Sequence, residues 1–228
     1  MNWVDFFIGV VLLLAIAIGY KRGLFREITT FFGLVIASIL AVDYADWLAI
    51  KTEGLFNVSP SARYVFCFVI CFAVSLFIFK LLGHYFYKMV KLTALKLPDK
   101  IGGAIFGSLK GLVVLSLIFL MFIFFPAFQS FNQTIDESAL APHIRQFIPM
   151  SFDLTSHFHP HSGKFSDKVT RGVLGSKAEQ YANNFESLPE DNAVLGFSAE
   201  DVSVLNNIGK YFGDKVELAN KADDETEK

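Results

Sequence analysis

Few residues of this chain combine a reactive type with a spacing that could do chemistry. Three histidines alternate with other residues at His157, His159 and His161, and His-rich tracts can bind transition metals. The tract contains a proline and lacks the distant Cys or His partners of a zinc site, so we expect a solvated loop. Cys67 and Cys71 lie one helical turn apart in an apolar run, where the geometry disfavours a disulfide. The sequence therefore predicts no metal site and no cofactor.

Charged residues that border or enter apolar runs form the second group of candidates. Lys110 lies early in the fourth apolar run. We expect it either to pair with Glu27 or Asp99, or to extend toward the lipid headgroups. Asp5 stands at the edge of the first run, where a role at the helix start is favoured over chemistry. Because the first, third and fourth runs hold no acidic residue deep inside, an ion-coupled transporter is disfavoured.

The composition indicates a membrane protein. The chain has 228 residues, of which 53% are hydrophobic and 18% charged, and this leaves too little polar surface for one soluble domain. Residues 1–125 contain 11 Lys and Arg against 6 Asp and Glu, whereas residues 126–228 contain 9 against 16. Neither part has a basic patch with interleaved aromatic residues, so nucleic acid is not an expected partner. The expected partner is the lipid bilayer.

Four apolar runs are long enough to cross a bilayer core of about 30 Å as helices. They lie at approximately 4–20, 28–47, 64–82 and 101–125. None alternates in polarity as the strands of a barrel would. We therefore predict an all-α polytopic membrane protein with four transmembrane helices in residues 1–125, and a mostly helical, soluble acidic tail in residues 126–228 that is partly disordered at its end.

Positive charge in the connections predicts the orientation. The first and third connections carry eight basic residues, namely Lys21, Arg22, Arg26, Lys80, Lys88, Lys91, Lys96 and Lys100. The positive-inside rule places both connections in the cytoplasm. The N-terminus, the second connection and the tail are then outside. Acidic Asp5 precedes the first run where a signal peptide would have positive charge, so an uncleaved span is expected.

We also expect helices in four less regular segments. The third connection, residues 83–97, is either a basic amphipathic helix on the membrane surface or an extension of the third span, and Asp99 is the predicted N-cap of the fourth helix. In the tail, residues 136–148, 166–185 and 199–218 can form amphipathic helices that pack on the membrane surface or on a partner.

Small residues predict where two spans approach each other closely. Gly103, Gly107 and Gly111 repeat every four residues and share one face of the fourth span. Gly33 and Ala37 form a similar face on the second span. Because small residues let membrane helices pack closely, we expect these two faces to meet.

Two stretches, Gly19 to Ile28 and Pro98 to Leu112, resemble the CvpA family of bacterial inner-membrane proteins, named for colicin V production. The positions that carry the resemblance are Asp5, Gly19, Arg22, Gly23, Glu27, Asp99, Lys100, Gly103, Gly107, Lys110 and Gly111. The resemblance covers roughly residues 1–125, and the tail beyond Phe125 has no signature of the family. It implies a multi-pass protein of the bacterial inner membrane.

These observations leave two candidate functions. The first is a non-enzymatic membrane accessory or scaffold protein, which the resemblance connects to colicin V production or export and to envelope maintenance. The second is a small membrane transporter or a channel subunit. Since the sequence has no Ser/His/Asp set, Cys/His pair or nucleotide loop at a meaningful spacing, an enzyme is not expected. The partner is either another membrane protein or a second copy of the chain.

Overall fold

The computed structural model describes residues 2–54, 58–89, 96–125, 129–155, 164–175 and 199–212. These residues form nine α-helices and no strand. The helices are α1 (Trp3–Arg22), α2 (Leu24–Lys51), α3 (Pro60–Met89), α4 (Lys96–Ile123), α5 (Gln129–Asp136), α6 (Ala141–Arg145), α7 (Phe147–Thr155), α8 (Phe165–Leu174) and α9 (Ala199–Phe212). The all-α prediction is confirmed.

Four of these helices, α1 to α4, are long and apolar enough to cross a membrane. They correspond to the four predicted spans, but most extend further at their ends: α2 begins at Leu24 rather than near residue 28, and α4 begins at Lys96 rather than near residue 101. At its other end α4 stops at Ile123, short of the predicted residue 125. Gly23 alone separates α1 from α2 and has φ +85°, a backbone conformation that glycine adopts without strain. The chain therefore reverses direction in one residue, and two basic helix ends meet there.

The four long helices pack in the order α1, α4, α2, α3. Helix α1 packs mainly against α4, α4 also packs against α2, and α2 also packs against α3. The two flanking helices have fewer buried residues than the two central ones. Large apolar side chains such as Phe6 and Leu13 of α1 and Phe77 of α3 are exposed, as expected for surfaces that face lipid chains.

The third connection is helical as far as the structure describes it. Helix α3 continues without interruption to Met89, which favours the extension of the third span, and residues 90–95 lie outside the described residues. Helix α4 then begins at Lys96, so Pro98 lies in its first turn, where a missing N–H leaves no hydrogen bond unmade.

The described parts of the tail pack on one end of the four long helices. One apolar core joins Val42 and Tyr64 to Ile148, Phe165 and Val204. A second core joins Val4, Ile8 and Phe119 to Ile135 and Ile144. Since each core contains side chains from both parts, the described residues of the tail form no core of their own.

Two predictions for the tail need correction or restriction. The single helix expected at residues 136–148 is instead split into α5, α6 and α7, with residues 137–140 as a turn. Helices occur where amphipathic segments were predicted near 166 and 199, as α8 and α9. The remainder of those segments, the histidine tract and the acidic terminus lie outside the described residues.

Candidate functional site

The glycine face of α4 is in backbone contact with α1. A Cβ at Gly107 would lie 2.6 Å from the carbonyl oxygen of Ala15 and 2.9 Å from the Cα of Gly19. A Cβ at Gly111 would lie 2.9 Å from the Cβ of Ala15, and Gly103 contacts the carbonyl oxygen of Gly19. These neighbours are mostly backbone atoms, so only glycine fits.

This contact corrects the predicted pairing of the glycine face with the second span. A Cβ at Gly33 would instead lie 3.4 Å from the Cβ of Phe79 in α3, and Ala37 is fully buried. Helices α2 and α4 do pack together, but α1 occupies the glycine face. A small-residue face allows a close approach without specifying the partner.

Asp99 caps a helix other than its own. Its Oδ1 accepts a hydrogen bond of 2.9 Å from the backbone N–H of Leu24, the first residue of α2. A side chain at Gly23 would collide with the same carboxylate. Because α4 already begins at Lys96, the predicted N-cap role in α4 is wrong. Asp99 instead fixes the one-residue turn against α4.

Glu27 and Lys110 form an ion pair inside the packed helices. Glu27 is fully buried, and its Oε2 accepts a hydrogen bond from the Nζ of Lys110. The guanidinium of Arg22 lies 3.7 Å from Oε1. The side chain of Lys110 is 20% exposed, and the pair joins α2 to α4. Of the two interpretations of Lys110, the structure shows the pair with Glu27.

Lys100 completes this group at the same end of the helices. Its Nζ lies 5.3 Å from the ring centroid of Tyr20, a cation–π contact between α4 and α1. The predicted residues Gly19, Arg22, Gly23, Glu27, Asp99, Lys100, Gly103, Gly107 and Lys110 thus converge at what we call the Gly23 end. The opposite end, which carries Asn2 and the tail, is the tail end.

Asp5 lies apart from this group, at the tail end. Its Oδ1 accepts hydrogen bonds from the hydroxyl of Ser138 at 2.5 Å and from the N–H of Leu140 at 3.3 Å. Asn2 donates to the carbonyl oxygen of Thr134 at 2.6 Å. Asp5 therefore joins the start of α1 to the turn before α6.

The tail is joined to the long helices by polar contacts that the sequence analysis missed. Lys168 of α8 lies 3.3 Å from Asp43 and 3.6 Å from Asp46 of α2, and all three side chains are largely buried. Ser116 of α4 donates to the carbonyl oxygen of Arg145 and accepts from the N–H of Ile148, both at 3.2 Å. The sequence did contain a signal for the pairing of Lys168, since a lysine on the apolar face of an amphipathic helix requires a charged partner.

A second polar cluster holds α9 in place. Asp136 accepts hydrogen bonds of 2.7 Å from Arg145 and Tyr211 and of 3.2 Å from Lys210. Burial alone would raise the pKa of Asp136, but the hydrogen bonds from Tyr211, Arg145 and Lys210 together hold it below its ordinary value. Burial is the main cause that raises the pKa of the Tyr211 phenol, and the hydrogen bond to Asp136 raises it further.

The arrangement as a whole is suited to holding helices together. Within the described ranges, no three His, Cys, Asp or Glu side chains converge as metal ligands would. A small pocket between α2, α3, α4 and the tail is lined by apolar and aromatic side chains, including Val42, Tyr64, Phe68 and Phe124. At the Gly23 end, Arg22 and Lys110 pair with Glu27, and Asp99 accepts a hydrogen bond from a backbone N–H.

Comparison with known proteins places this architecture in context. Residues 4–149 match the family described as Colicin V production protein. A relative from Haemophilus influenzae, the Colicin V production protein homolog, is 27% identical over 155 residues, which cover 65% of this chain and 90% of that protein. No solved structure matches the chain significantly.

The family match also corrects the extent of the resemblance. It continues past Phe125 to residue 149 and so includes α5, α6 and the start of α7. This agrees with the packing, because Ile135 and Ile144 share a core with Val4 and Ile8 of α1. The part of the chain that matches the family thus comprises the four long helices together with α5, α6 and the start of α7.

Proposed function

Because this chain belongs to the colicin V production protein family, we propose that it is a non-enzymatic membrane accessory protein. It supports the production or export of a colicin V-type toxin and, more broadly, envelope maintenance. The pairing of fully buried Glu27 with Lys110 carries the proposal. Arg22 and Lys110 bind Glu27, and Asp99 binds the N–H of Leu24. These charged residues hold helices together, as expected for a scaffold.

The protein acts in the bacterial inner membrane, with both termini outside the cytoplasm. Supporting this orientation, the Gly23 end carries exposed Lys21, Arg26 and Lys100, and positive charge favours the cytoplasmic side. Alkaline phosphatase fused after residue 228 is therefore expected to be active, whereas a fusion within the third connection is expected to be inactive. The reverse pattern would contradict the orientation.

Deletion of the gene in a colicin V-producing strain tests the function. We expect less toxin in the medium and lower tolerance of bile salts, both restored by the wild-type gene. The Gly107→Leu variant, which cannot pack against α1, should fail to restore them, whereas Gly9→Ala should restore them, since nothing lies within 4 Å of a Cβ at Gly9. Normal toxin release from the deletion strain would refute the proposal.

A small transporter or channel subunit is the second candidate. Glu27 favours it, because a buried carboxylate in a membrane helix often marks an ion pathway. Purified protein in liposomes separates the two candidates. A scaffold gives no saturable solute flux, whereas a transporter gives flux that is lost in Glu27→Gln.

The partner is another membrane protein or a second copy of the chain. The lipid-facing sides of α1 and α3 offer apolar surface for either. Cross-linking in cells from the third connection and from the tail, followed by mass spectrometry, distinguishes a foreign peptide from a peptide of this chain.

A further inference from the structure

Four exposed cations surround the Gly23 end. Lys21 lies in the last turn of α1, Arg26 in the first turn of α2 and Lys100 near the start of α4. Lys80 lies one turn before Gly83, which packs against Thr29 near the start of α2. All four long helices thus contribute one cation to this end, and we call these four residues the cationic collar.

The collar has no carboxylate partner within the part of the chain that the structure describes. The two acidic groups nearby are already used: Glu27 binds Lys110 and Arg22, and Asp99 binds the N–H of Leu24. Among the collar residues, Lys100 has its cation–π contact with Tyr20. This leaves a net positive surface at the Gly23 end.

Buried cations at the tail end, by contrast, have carboxylate partners within the chain. Lys168 pairs with Asp43 and Asp46, and Arg145 with Asp136. These pairs neutralise the buried cations at the tail end, whereas the four collar cations at the Gly23 end have no carboxylate partner among the described residues. A surface of this kind is complementary to an anion supplied from outside the molecule.

The neighbours of the collar indicate what that anion is. Exposed apolar side chains adjoin the collar along each helix, among them Tyr20, Phe25, Leu81 and Ile101. A cation that borders lipid-facing surface lies at the level of the lipid headgroups. Tyrosine and lysine together are typical of that boundary.

We propose that the cationic collar binds the phosphate groups of anionic phospholipids in the cytoplasmic leaflet. Each ammonium or guanidinium pairs with a headgroup phosphate while the acyl chains lie along the exposed apolar side chains. The lipids would then neutralise the Gly23 end from outside, as Glu27 and Asp99 do from within.

Native mass spectrometry of the full chain in detergent tests this directly. The probes are dioleoyl phosphatidylglycerol and dioleoyl phosphatidylcholine, which differ in net headgroup charge. Wild-type protein is expected to prefer the anionic lipid. Each collar cation near an anionic surface contributes about fivefold in affinity, so Lys21→Gln/Lys100→Gln should bind phosphatidylglycerol about 25-fold more weakly.

A matched double variant removes the same charge at the tail end. Lys51, which lies over the ring of Trp47, and Arg171 are both exposed. The Lys51→Gln/Arg171→Gln variant should keep wild-type affinity for phosphatidylglycerol. Equal loss in both doubles would overturn the collar as the site. Equal wild-type affinity for the two lipids would overturn the proposal. Since the lipid is added to purified protein, altered insertion in the cell does not affect the result.

Discussion

Three aspartates accept hydrogen bonds from N–H groups at the starts of helices other than their own. Asp99 accepts from Leu24 of α2, and Asp153 accepts from Phe165 of α8 at 2.8 Å. Asp201 of α9 accepts from the N–H of Ser61 at 3.2 Å and from its hydroxyl at 2.7 Å. The first N–H groups of a helix have no partner within it. Each carboxylate therefore satisfies a helix start and connects two elements with one side chain.

The Glu27–Lys110 pair leads to a prediction at the residue scale. Lys110→Met leaves the Glu27 carboxylate buried with only Arg22 nearby, so the unfolding free energy should fall by about 3–5 kcal/mol. Glu27→Gln should cost less, about 1–3 kcal/mol, because partly exposed Lys110 can reach water. Thermal unfolding in detergent measures both.

The double variant Glu27→Leu/Lys110→Met provides the control for this pair. It removes both charges and should recover most of the stability lost in Lys110→Met, since apolar side chains can replace a buried ion pair at little cost. A double variant that is less stable than Lys110→Met alone would contradict the pairing.

At the scale of elements, α1 and α4 form the closest helix pair. Their backbones meet at Gly19, Gly103 and Gly107, where close packing and weak Cα–H···O contacts hold membrane helices together. The Glu27–Lys110 ion pair then connects α1 and α4 to the other two long helices, because it joins α4 to α2. The glycines of the two stretches that resemble the family thus pack α1 against α4, whereas the charged residues Glu27 and Lys110 join α2 to α4.

The glycine contact predicts a large effect from one methyl group. Gly107→Ala places a Cβ 2.6 Å from the carbonyl oxygen of Ala15, so the backbones must separate, at about 1–3 kcal/mol. Gly9→Ala adds the same methyl group to open space on α1 and should be neutral or slightly stabilising. The melting temperatures of the two variants are measured in the same detergent. Equal values would contradict the close contact between Gly107 and α1.

The sequence predicted the elements better than their contacts. Four apolar runs predict four spans because helix length follows from bilayer thickness, and the motif residues do converge at one end. The partner of Gly107 could not be predicted, since a glycine face fits any close helix. Likewise, an aspartate three residues into α4 looks like a cap for α4, and only the three-dimensional fold brings Asp99 to Leu24.

At the scale of the whole molecule, the described tail and the long helices form one body. Ser116, well inside α4, bonds to both Arg145 and Ile148, so the tail enters the space between the helix ends. The sequence could not predict this docking, because tail residues such as Ile144 and Phe165 could equally face a membrane surface or a partner.

Lys168 is expected to control this docking. Lys168→Met leaves Asp43 and Asp46 buried together without their cation, and the docking of α8 should weaken by about 3–5 kcal/mol. Arg171→Met, at an exposed position of the same helix, should have little effect. Limited proteolysis of purified protein in detergent measures the release of α8, and equal cleavage rates in the two variants would refute the prediction.

The Asp136 cluster predicts a pH dependence for the attachment of α9. The lowered pKa of Asp136 means that its contribution is complete above 3.8 and is lost as pH falls through its folded value. The raised pKa of Tyr211 means that its contribution is complete below 10.0 and is lost as pH rises through its folded value. Attachment of α9 should therefore be strongest between these limits.

A spin label at Asn206→Cys, on the exposed side of α9, reports the attachment in a Cys67→Ala/Cys71→Ala background. Its mobility should rise when the pH is lowered well below 3.8. In Asp136→Asn the label should already be mobile at neutral pH, because Arg145 has lost its carboxylate. A label that remains immobile at low pH would contradict this account.

The Glu27–Lys110 pair also imposes an order on biosynthesis. The two residues are 83 positions apart in the chain, which corresponds to several seconds at the usual 5–20 residues per second of translation. During that interval the nascent second helix holds a carboxylate without its lysine, and the first helix has not yet met the glycines of the fourth. The first two helices must therefore stay in contact with the insertion machinery until the fourth helix has been synthesised.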